Sequence, residues 1–274
     1  MDNILTIDVE EWFHANYTSN VFDSSKNYQV RVTDNTMRLL DLFDDYNAKA
    51  TFFVLGYVAE RHPDLIKTIH NRGHEIASHG YGHQLIYNQT PDEFREDVRK
   101  SVELLENIIG QAVKGFRAPS WSIVEQSKWA WEVLEELGLK YDASVFPIKN
   151  FLYGLPDSPT SIYTPCYKGR NLNLYEIPAS TIQMAGKNMP FSGGFYFRVL
   201  PYPVIRRCIN VLNQVNLPAI IYLHPREIDP NQPRLPLSFK DGLIHYWGIK
   251  KCEEKFITLL KDFTFTTISE FYQF

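Results

Sequence analysis

Short apolar runs rich in β-branched residues alternate with amphipathic helical patterns along most of this chain. NILTIDV, ATFFVLG and HEIASHG are typical of buried strands, and a segment with helical periodicity follows each of them. Repeated βα units predict parallel strands with helices outside them. About seven such strands predict an α/β fold, specifically a distorted (β/α) barrel in a single domain. A doubly wound open sheet is the alternative.

The helix predicted over TPDEFREDVRKSVELLENIIG has signals at both of its ends. Thr90 and Glu93 have the spacing of a capping box, and Pro91 suits the first helical position. Gly110 is typical of the residue that follows the last turn of a helix. The sequence therefore predicts both boundaries of this helix.

Two further helical segments are predicted with less regular ends. TDNTMRLLDLFDDYNA is expected to begin at Thr33 or Asp34 as its N-cap, and VAERHPDLIKTIHNRG is expected to form one helix closed by Gly73. Between residues 147 and 200 the pattern loosens, because Pro, Gly, Ser and Asn are frequent there. No repeat or low-complexity linker divides the chain, so residues 1–274 are expected to form one domain.

Composition excludes several classes of protein. The formal net charge of −4 argues against a broad nucleic-acid-binding surface. No run approaches 18 apolar residues, so no membrane span is expected. If residue 1 is the natural start, the absence of a basic and then apolar leader in MDNILTIDVEEWFH predicts a cytoplasmic protein. Cys166, Cys208 and Cys252 lie far apart, which predicts buried free thiols rather than disulfides or a thiolate zinc site.

Reactive side chains recur where the predicted strands end. In chain order they are Asp8, Glu10, His79, His83, Arg117, Asp142 and His224. Each one alone is as readily a loop, cap or ion-pair residue. Because the carboxyl ends of parallel strands meet at one face of a barrel, we expect these side chains to converge there. Their joint placement favours a functional site.

The residue types in this set are those of a metal site. Along a strand, Asp8 and Glu10 share a face and Glu11 does not. One carboxylate with the two imidazoles of HGYGH, His79 and His83, is a ligand set for a divalent metal with open positions. The remaining carboxylate can serve as a general base for water, and a more distant histidine can protonate a leaving group.

Five segments together resemble the ordered motifs of the polysaccharide deacetylases, the NodB-homology or carbohydrate esterase family 4 enzymes. They are TIDVE (6–10), HGYGH (79–83), RAPSW (117–121), YDASVF (141–146) and YLHP (222–225). The resemblance spans residues 4–225 and leaves 226–274 as a C-terminal extension that completes the barrel. It implies a distorted (β/α) barrel that removes N-acetyl groups from a sugar with the help of a divalent metal, and zinc is the expected metal.

The resemblance also implies a role for each matched side chain. Asp8 matches the catalytic base, and Arg117 matches the arginine that holds it. His224 matches the general acid, and Asp142 matches the aspartate that tunes that acid. A backbone N–H just after Arg117 is expected to stabilise the oxyanion.

The implied metal ligands include one departure from the family pattern. His79 and His83 match the two metal histidines. The common first motif has two adjacent aspartates, whereas Val9 stands here after the predicted base. The metal carboxylate is therefore expected to be Glu10, because strand alternation favours it over Glu11.

Two later segments, SGGFYFRVLPY (192–202) and HPREIDPNQPR (224–234), resemble a branch that accompanies exopolysaccharide and surface-glycan synthesis genes. They are expected to form the substrate side of the cleft, with ordinary packed loops as the alternative. The side chains predicted to bind substrate are Trp12, Trp121, Tyr196, Arg198, Arg226 and Glu227. For the two tryptophans, a place in the core is the favoured interpretation and a sugar contact is the alternative.

The function expected from these residues is hydrolysis of an N-acetyl group on a polysaccharide, a lipid-linked sugar or a nucleotide-linked sugar. Peripheral association with glycan-synthesis machinery is a further expectation. An amide or formyl hydrolase on a small or lipid-linked sugar is one alternative. A non-haem iron oxygenase has a similar ligand set, and a catalytically weak glycan-binding protein is the third alternative.

Overall fold

The computed structural model describes residues 1–15, 28–150 and 153–274. The strands are β1 (Asn3–Val9), β2 (Thr51–Val54), β3 (Glu75–Ser78), β4 (Gly115–Phe116), β5 (Tyr141–Asp142), β6 (Cys166–Tyr167), β7 (Arg170–Asn171), β8 (Tyr175–Glu176), β9 (Thr181–Met184), β10 (Lys187–Pro190), β11 (Ile220–Leu223) and β12 (Phe265–Thr266). The α-helices are α1 (Val32–Asp45), α2 (Gly56–Arg61), α3 (Pro63–Asn71), α4 (Pro91–Ile109), α5 (Ala130–Glu136), α6 (Gly194–Val199), α7 (Tyr202–Gln214), α8 (Phe239–Tyr246), α9 (Cys252–Asp262) and α10 (Ile268–Tyr272).

The main sheet is parallel and has the strand order β11-β1-β2-β3-β4-β5-β8, with β12 pairing alongside β1. β9 pairs antiparallel with β10, and β6 pairs antiparallel with β7, as two separate hairpins. This arrangement confirms the predicted α/β fold, a distorted barrel of about seven strands.

The barrel closes only loosely between β8 and β11. Among the described residues, a single parallel bridge joins Gly193 to Tyr222, and the hydroxyl of Ser180 accepts a hydrogen bond from the Ile220 N–H at 2.8 Å. A Cβ on Gly193 would lie 2.0 Å from the Tyr222 carbonyl oxygen, so only glycine permits this approach. The loop segments that approach here carry residues of the candidate site described below.

Side-chain alternation divides the core into an outer and an inner part. Leu5, Ile7 and Val9 of β1 pack outward into the large cluster beneath the helices. Ile4 faces the other way, into a smaller cluster inside the barrel that also contains Ile268 of α10. The inward face of β1 therefore begins apolar at the amino end and becomes polar toward the carboxyl end.

Helix α4 has the ends that its sequence predicts. The hydroxyl of Thr90 accepts the Glu93 N–H at 3.3 Å, and the Glu93 carboxylate accepts the Thr90 N–H at 2.8 Å. Gly110 follows the helix in the left-handed conformation, with φ of 70°. The capping box and the glycine stop are confirmed.

Two other helix predictions were wrong in their boundaries. Helix α1 begins at Val32, before both Thr33 and Asp34. The segment VAERHPDLIKTIHNRG forms two helices, α2 and α3, with a break at His62 before Pro63. A proline disfavours the helical conformation of the residue before it, and its ring nitrogen has no hydrogen to donate to the preceding turn.

The described residues bear on two expectations, the lack of a membrane span and the burial of the cysteines. Among the described residues, no helix combines the length and apolar character needed to cross a membrane. Cys208 and Cys252 are buried free thiols, as expected, whereas Cys166 is exposed on the β6–β7 hairpin. The expectation of burial was wrong for Cys166 because this short hairpin lies outside the main sheet.

Candidate active site and metal centre

The strand register brings the predicted reactive residues to one edge of the sheet. Val9 pairs with Val54, which pairs with Ser78, and the row continues through Phe116 to Asp142. The residues that follow this row leave the sheet together at its carboxyl end; they include Glu10, His79 and Arg117. On the other side of β1, Ile7 pairs with Leu223, so Asp8 and His224 are level.

Three of these side chains form a buried cluster that could hold a metal ion. One ligand atom from each of Glu10, His79 and His83 lies within 4.8 Å of the other two. The Nε2 atom of His83 is 2.6 Å from a carboxylate oxygen of Glu10. Glu11 points elsewhere, and its carboxylate accepts the backbone N–H groups of Arg31 and Val32 at the start of α1.

That contact of Glu11 explains why α1 begins earlier than its sequence predicts. The first N–H groups of a helix need an acceptor, and here a carboxylate from the β1 loop supplies it in place of Thr33 or Asp34. Burial raises the pKa of Glu11 to about 7, although the N–H groups of Arg31 and Val32 oppose the shift.

The bend of HGYGH is set by Asp97 on α4. Its carboxylate accepts the Tyr81 N–H at 2.7 Å and the Gly82 N–H at 3.1 Å. Gly80 has φ of 73°, and a Cβ there would lie 2.7 Å from the Asp97 carboxylate. His83 itself is left-handed, with φ of 56°. Asp97 was not identified from the sequence, because an aspartate within a helix carries no signal of this role.

Hydrogen bonding assigns the tautomer of His79. Its Nδ1 lies 2.7 Å from the carbonyl oxygen of Arg117, which can only accept a hydrogen bond. Nδ1 therefore carries the proton, and Nε2 presents its lone pair to the cluster. Burial lowers the pKa of His79 to about 4, so the ring is neutral at pH 7.

The charge state of Glu10 also suits a metal ligand. Burial acts to raise the pKa of its carboxyl, but the imidazoles of His83, His224 and His79 together outweigh burial and hold that pKa well below its usual value. Neutral imidazole nitrogens with an ionised carboxylate are the donor set that a catalytic zinc site uses. The residues present therefore fit a divalent metal.

Asp8 lies beside this cluster in a fixed orientation. One of its carboxylate oxygens accepts a hydrogen bond from Arg117 at 2.7 Å. The same guanidinium donates to Thr6 at 2.9 Å and to the carbonyl of Ala143 at 3.1 Å, and it stacks over the ring of Phe53. Because Arg117 is buried and held at several points, it fixes one oxygen of Asp8 and leaves the other toward the site.

His224 faces the same cluster from β11. Its Nε2 is 3.8 Å from a carboxylate oxygen of Asp8 and 3.8 Å from one of Glu10. Its Nδ1 is 3.3 Å from the carboxylate of Glu227. Burial alone would lower the pKa of His224, but these carboxylates outweigh it and raise that pKa.

Asp142 does not contact His224. Its carboxylate oxygens accept hydrogen bonds from the hydroxyl of Ser144 and, at 3.0 Å, from the indole N–H of Trp131. It lies opposite Glu176 of β8, and a hydrogen bond joins the two carboxyl groups. The partner of His224 is Glu227, so the contact that the resemblance implies for Asp142 is absent.

The backbone N–H just after Arg117 is also occupied. The Ala118 N–H donates to the hydroxyl of Ser144 at 2.7 Å. The expectation that this N–H stabilises an oxyanion was therefore wrong in this structure, since a protein side chain already accepts it.

A cavity of about 250 Å³ opens above these groups. Of the side chains predicted to bind substrate, Trp121, Tyr196, Arg198 and Arg226 line it. Aromatic residues that were not predicted also line it: Tyr153, Phe195 and Tyr222. Tyr153 lies in the loosely patterned segment after residue 147, where the sequence has no signal of strand or helix that would place it.

Two predicted substrate contacts lie outside the described lining of this cavity. Trp12 is buried, and its indole N–H donates to the Gln29 carbonyl at 3.0 Å, so it has the core role that the sequence favours for it. Glu227 is fully buried, and its carboxylate is engaged by Arg198 and His224.

Comparisons with known proteins agree with these motifs. Residues 6–141 match the family model described as polysaccharide deacetylase, and residues 143–273 match a domain of unknown function, DUF3473. A peptidoglycan-N-acetylglucosamine deacetylase of Bacillus cereus is 42% identical over 98 residues, which are 35% of this chain and 36% of that protein. A peptidoglycan deacetylase of Helicobacter pylori is 33% identical over 154 residues, which are 52% of each protein. The chain thus matches about a third to a half of the length of these relatives.

Solved structures share the fold. A candidate polysaccharide deacetylase from Mycobacterium smegmatis has a TM-score of 0.64 at 22% identity, covering 98% of this chain and 88% of that chain. A pseudoenzyme of carbohydrate esterase family 4 from Bacillus anthracis has a TM-score of 0.52 at 16% identity, covering 98% of this chain and 65% of that chain. The family model over residues 6–141, together with the relatives that are 42% and 33% identical, shows that this half of the chain belongs to the polysaccharide deacetylase family, carbohydrate esterase family 4.

Proposed function

We propose that this protein is a metal-dependent hydrolase that removes acetyl groups from an N-acetylated sugar of a glycan or glycan precursor. The observation that carries the proposal is the cluster of Glu10, His79 and His83 beside Asp8 and His224 at the base of one cavity. The deacetylase names of the matched relatives support the same reaction.

The cavity supports a carbohydrate substrate. Its wall contains the rings of Trp121, Tyr196 and Tyr222, and aromatic faces pack well against the apolar faces of sugar rings. Its volume of about 250 Å³ is small among ligand sites, so it suits one sugar unit with its acetyl group. The rest of a longer glycan would extend outside it.

Glu10, His79 and His83 would hold the metal, and we propose zinc. When bound, the ion would supply Lewis acidity toward the acetyl carbonyl and would lower the pKa of a water molecule. His79 is prepared for this role because its Nδ1–H is held by the Arg117 carbonyl.

The protein side chains then account for the proton transfers. Asp8 accepts a proton from the attacking water as the new C–O bond forms, and Arg117 keeps the carboxylate aligned. The C–N bond breaks, and His224 donates the proton at Nε2 to the departing nitrogen. The products are acetic acid and a free amino sugar, and return of the proton from Asp8 to His224 restores the site, so atoms and charges balance.

Release of acetate tests this proposal. Zinc-reconstituted protein would be incubated with N-acetylglucosamine oligomers, peptidoglycan fragments, and nucleotide-linked and lipid-linked N-acetyl sugars. Acetate and formate would both be measured. We expect acetate from at least one substrate, with Asp8→Asn lowering the rate by at least about 100-fold while zinc stays bound.

Other outcomes separate the alternatives. Formate in place of acetate from formylated analogues would identify a formyl hydrolase. Consumption of oxygen by iron-loaded protein would identify an oxygenase. Binding of an oligomer by zinc-loaded protein with release of neither acid would contradict the hydrolase and favour a glycan-binding protein. Turnover of the lipid-linked or nucleotide-linked sugar alone would place the reaction in glycan synthesis, as the exopolysaccharide branch predicts.

A further inference from the structure

A buried ion pair lies directly behind His224. The Nε atom of Arg198 is 2.8 Å from a carboxylate oxygen of Glu227, and the two side chains are 1% and 0% exposed. The pair lies in the part of the chain matched by the domain of unknown function. A buried charged pair is costly to assemble, so its geometry calls for an explanation.

Arg198 is held rigidly by the segment that contains and follows α8. Its guanidinium donates to the carbonyl of Ile244 at 2.7 Å, to that of His245 at 3.3 Å, and to that of Trp247. These carbonyls and one carboxylate oxygen fix the plane of the guanidinium. Arg198 is therefore not free to bind an anionic substrate group in the cavity.

Glu227 connects this fixed arginine to the histidine. One carboxylate oxygen accepts from Arg198. The other accepts the backbone N–H of His224 at 3.1 Å and lies 3.3 Å from its Nδ1. An ionised carboxylate can only accept, so Nδ1 carries a proton and Nε2 is directed at the cluster where Asp8 and Glu10 lie.

We propose that Glu227 and Arg198 are positioning residues for His224, in the place that the family resemblance gives to Asp142. The proposal rests on the proposed deacetylation, in which His224 gives the Nε2 proton to the departing nitrogen. Glu227 keeps the Nδ1–H in place throughout that step, so proton transfer occurs only at Nε2. Arg198 keeps the Glu227 carboxylate ionised and aligned.

A purely structural role is the competing explanation. Glu227 also closes the 3-10 turn Pro225–Ile228, since its carboxylate accepts the His224 backbone N–H and its own N–H donates to the His224 carbonyl at 2.9 Å. In that case, loss of the carboxylate would lower the stability of the protein and would affect all reactions of the site alike.

The leaving group separates the two explanations. An amine needs a proton in order to depart, whereas the phenolate of 4-nitrophenyl acetate does not. For Glu227→Gln, we expect kcat on the N-acetyl sugar to fall about 100-fold or more, with KM little changed. Hydrolysis of the aryl ester should stay within about threefold of wild type, as should zinc content. Glu227→Asp, which keeps the charge, should recover part of the amide rate.

Glu176→Gln is the matched control, because Glu176 is also a fully buried glutamate but contacts Trp131 and the Val145 N–H rather than His224. It should leave both reactions unchanged. Equal losses of amide and ester hydrolysis in Glu227→Gln, or an unchanged amide rate, would overturn the positioning role. A wild-type protein that hydrolyses no N-acetyl sugar would instead refute the proposed function.

A second readout requires no turnover and no metal. Long-range ¹H–¹⁵N correlation spectra of metal-free protein report which imidazole nitrogen carries the proton, and His224→Asn assigns the relevant signal among eight histidines. Wild type should show a protonated Nδ1 for His224. Glu227→Gln should shift that signal toward a mixture of tautomers, while Glu176→Gln should not. An unchanged His224 signal in Glu227→Gln would contradict the inference.

Discussion

The pair of buried carboxyl groups at Asp142 and Glu176 predicts an unusual dependence of stability on pH. Burial and the neighbouring Asp142 carboxylate raise the pKa of Glu176 well above its usual value. The folded protein therefore keeps a proton that the unfolded chain releases above about pH 4.5. Because the folded state binds more protons, the free energy of unfolding falls as the pH rises through this window.

Glu176→Gln removes this proton and keeps the shape of the side chain. The amide NH₂ can replace the O–H that faces Asp142, and the amide oxygen can accept the Val145 N–H as Glu176 does. We compare the free energy of unfolding of the variant with that of wild type. As the pH rises from the unfolded pKa of Glu176 toward its folded pKa, the difference, variant minus wild type, should grow by about 1.4 kcal/mol per pH unit. The difference should therefore increase as the pH rises from about 4.5, where the unfolded chain begins to release this proton.

Urea unfolding of metal-free protein at several pH values measures this difference. Titrating groups shared by both proteins, including the histidines of the site, largely cancel when the two are compared. Glu254→Gln, on the exposed face of α9, controls for the loss of one glutamate at the surface and should give no such slope. A difference that is constant from pH 5.5 to 7.5, or that shrinks as the pH rises, would refute the assignment of a retained proton to this pair.

Three further substitutions test the packing that supports the site. Arg117→Met leaves the Asp8 carboxylate buried without its partner, so urea unfolding should show a loss of about 3–5 kcal/mol. Gly80→Ala places a Cβ 2.7 Å from the Asp97 carboxylate at a residue with positive φ, so the loop that carries His79 and His83 should be displaced. Calorimetry should show about 10- to 100-fold weaker zinc binding, and an unchanged zinc affinity would contradict this account of the loop. Gly115→Ala places a Cβ 2.0 Å from the ring of Tyr141 on β5, so thermal unfolding should show a loss of about 1–3 kcal/mol in the free energy of unfolding.

The sequence predicts the sheet and the cluster because both depend on regular geometry. Period-two alternation places Glu10 on the site face of β1 and Glu11 on the other face. The shared edge of parallel strands then brings His79 and Arg117 beside Glu10. Strand alternation and the shared carboxyl edge of the sheet do not depend on the conformation of the loops. The convergence of the motifs was therefore predictable without knowledge of any individual contact.

Contacts made by side chains across the fold were not predictable in this way. The partner of Asp142 depends on the register of β8, which is only two residues long. The contact of Glu227 with His224 depends on a 3-10 turn that folds the chain back over three residues. A spacing of three between a histidine and a glutamate is also common on exposed turns, so the sequence could not show that Arg198 buries this pair.

The central claim is that Glu10, His79 and His83 bind one divalent metal. Calorimetric titration of metal-free protein with zinc chloride tests it without reference to any substrate, using wild type, Glu10→Gln and Glu11→Gln. Wild type and Glu11→Gln should each bind about one zinc per chain, and Glu10→Gln should bind it at least about 10-fold more weakly. Equal affinity in Glu10→Gln and wild type, or loss of zinc in Glu11→Gln alone, would contradict the account.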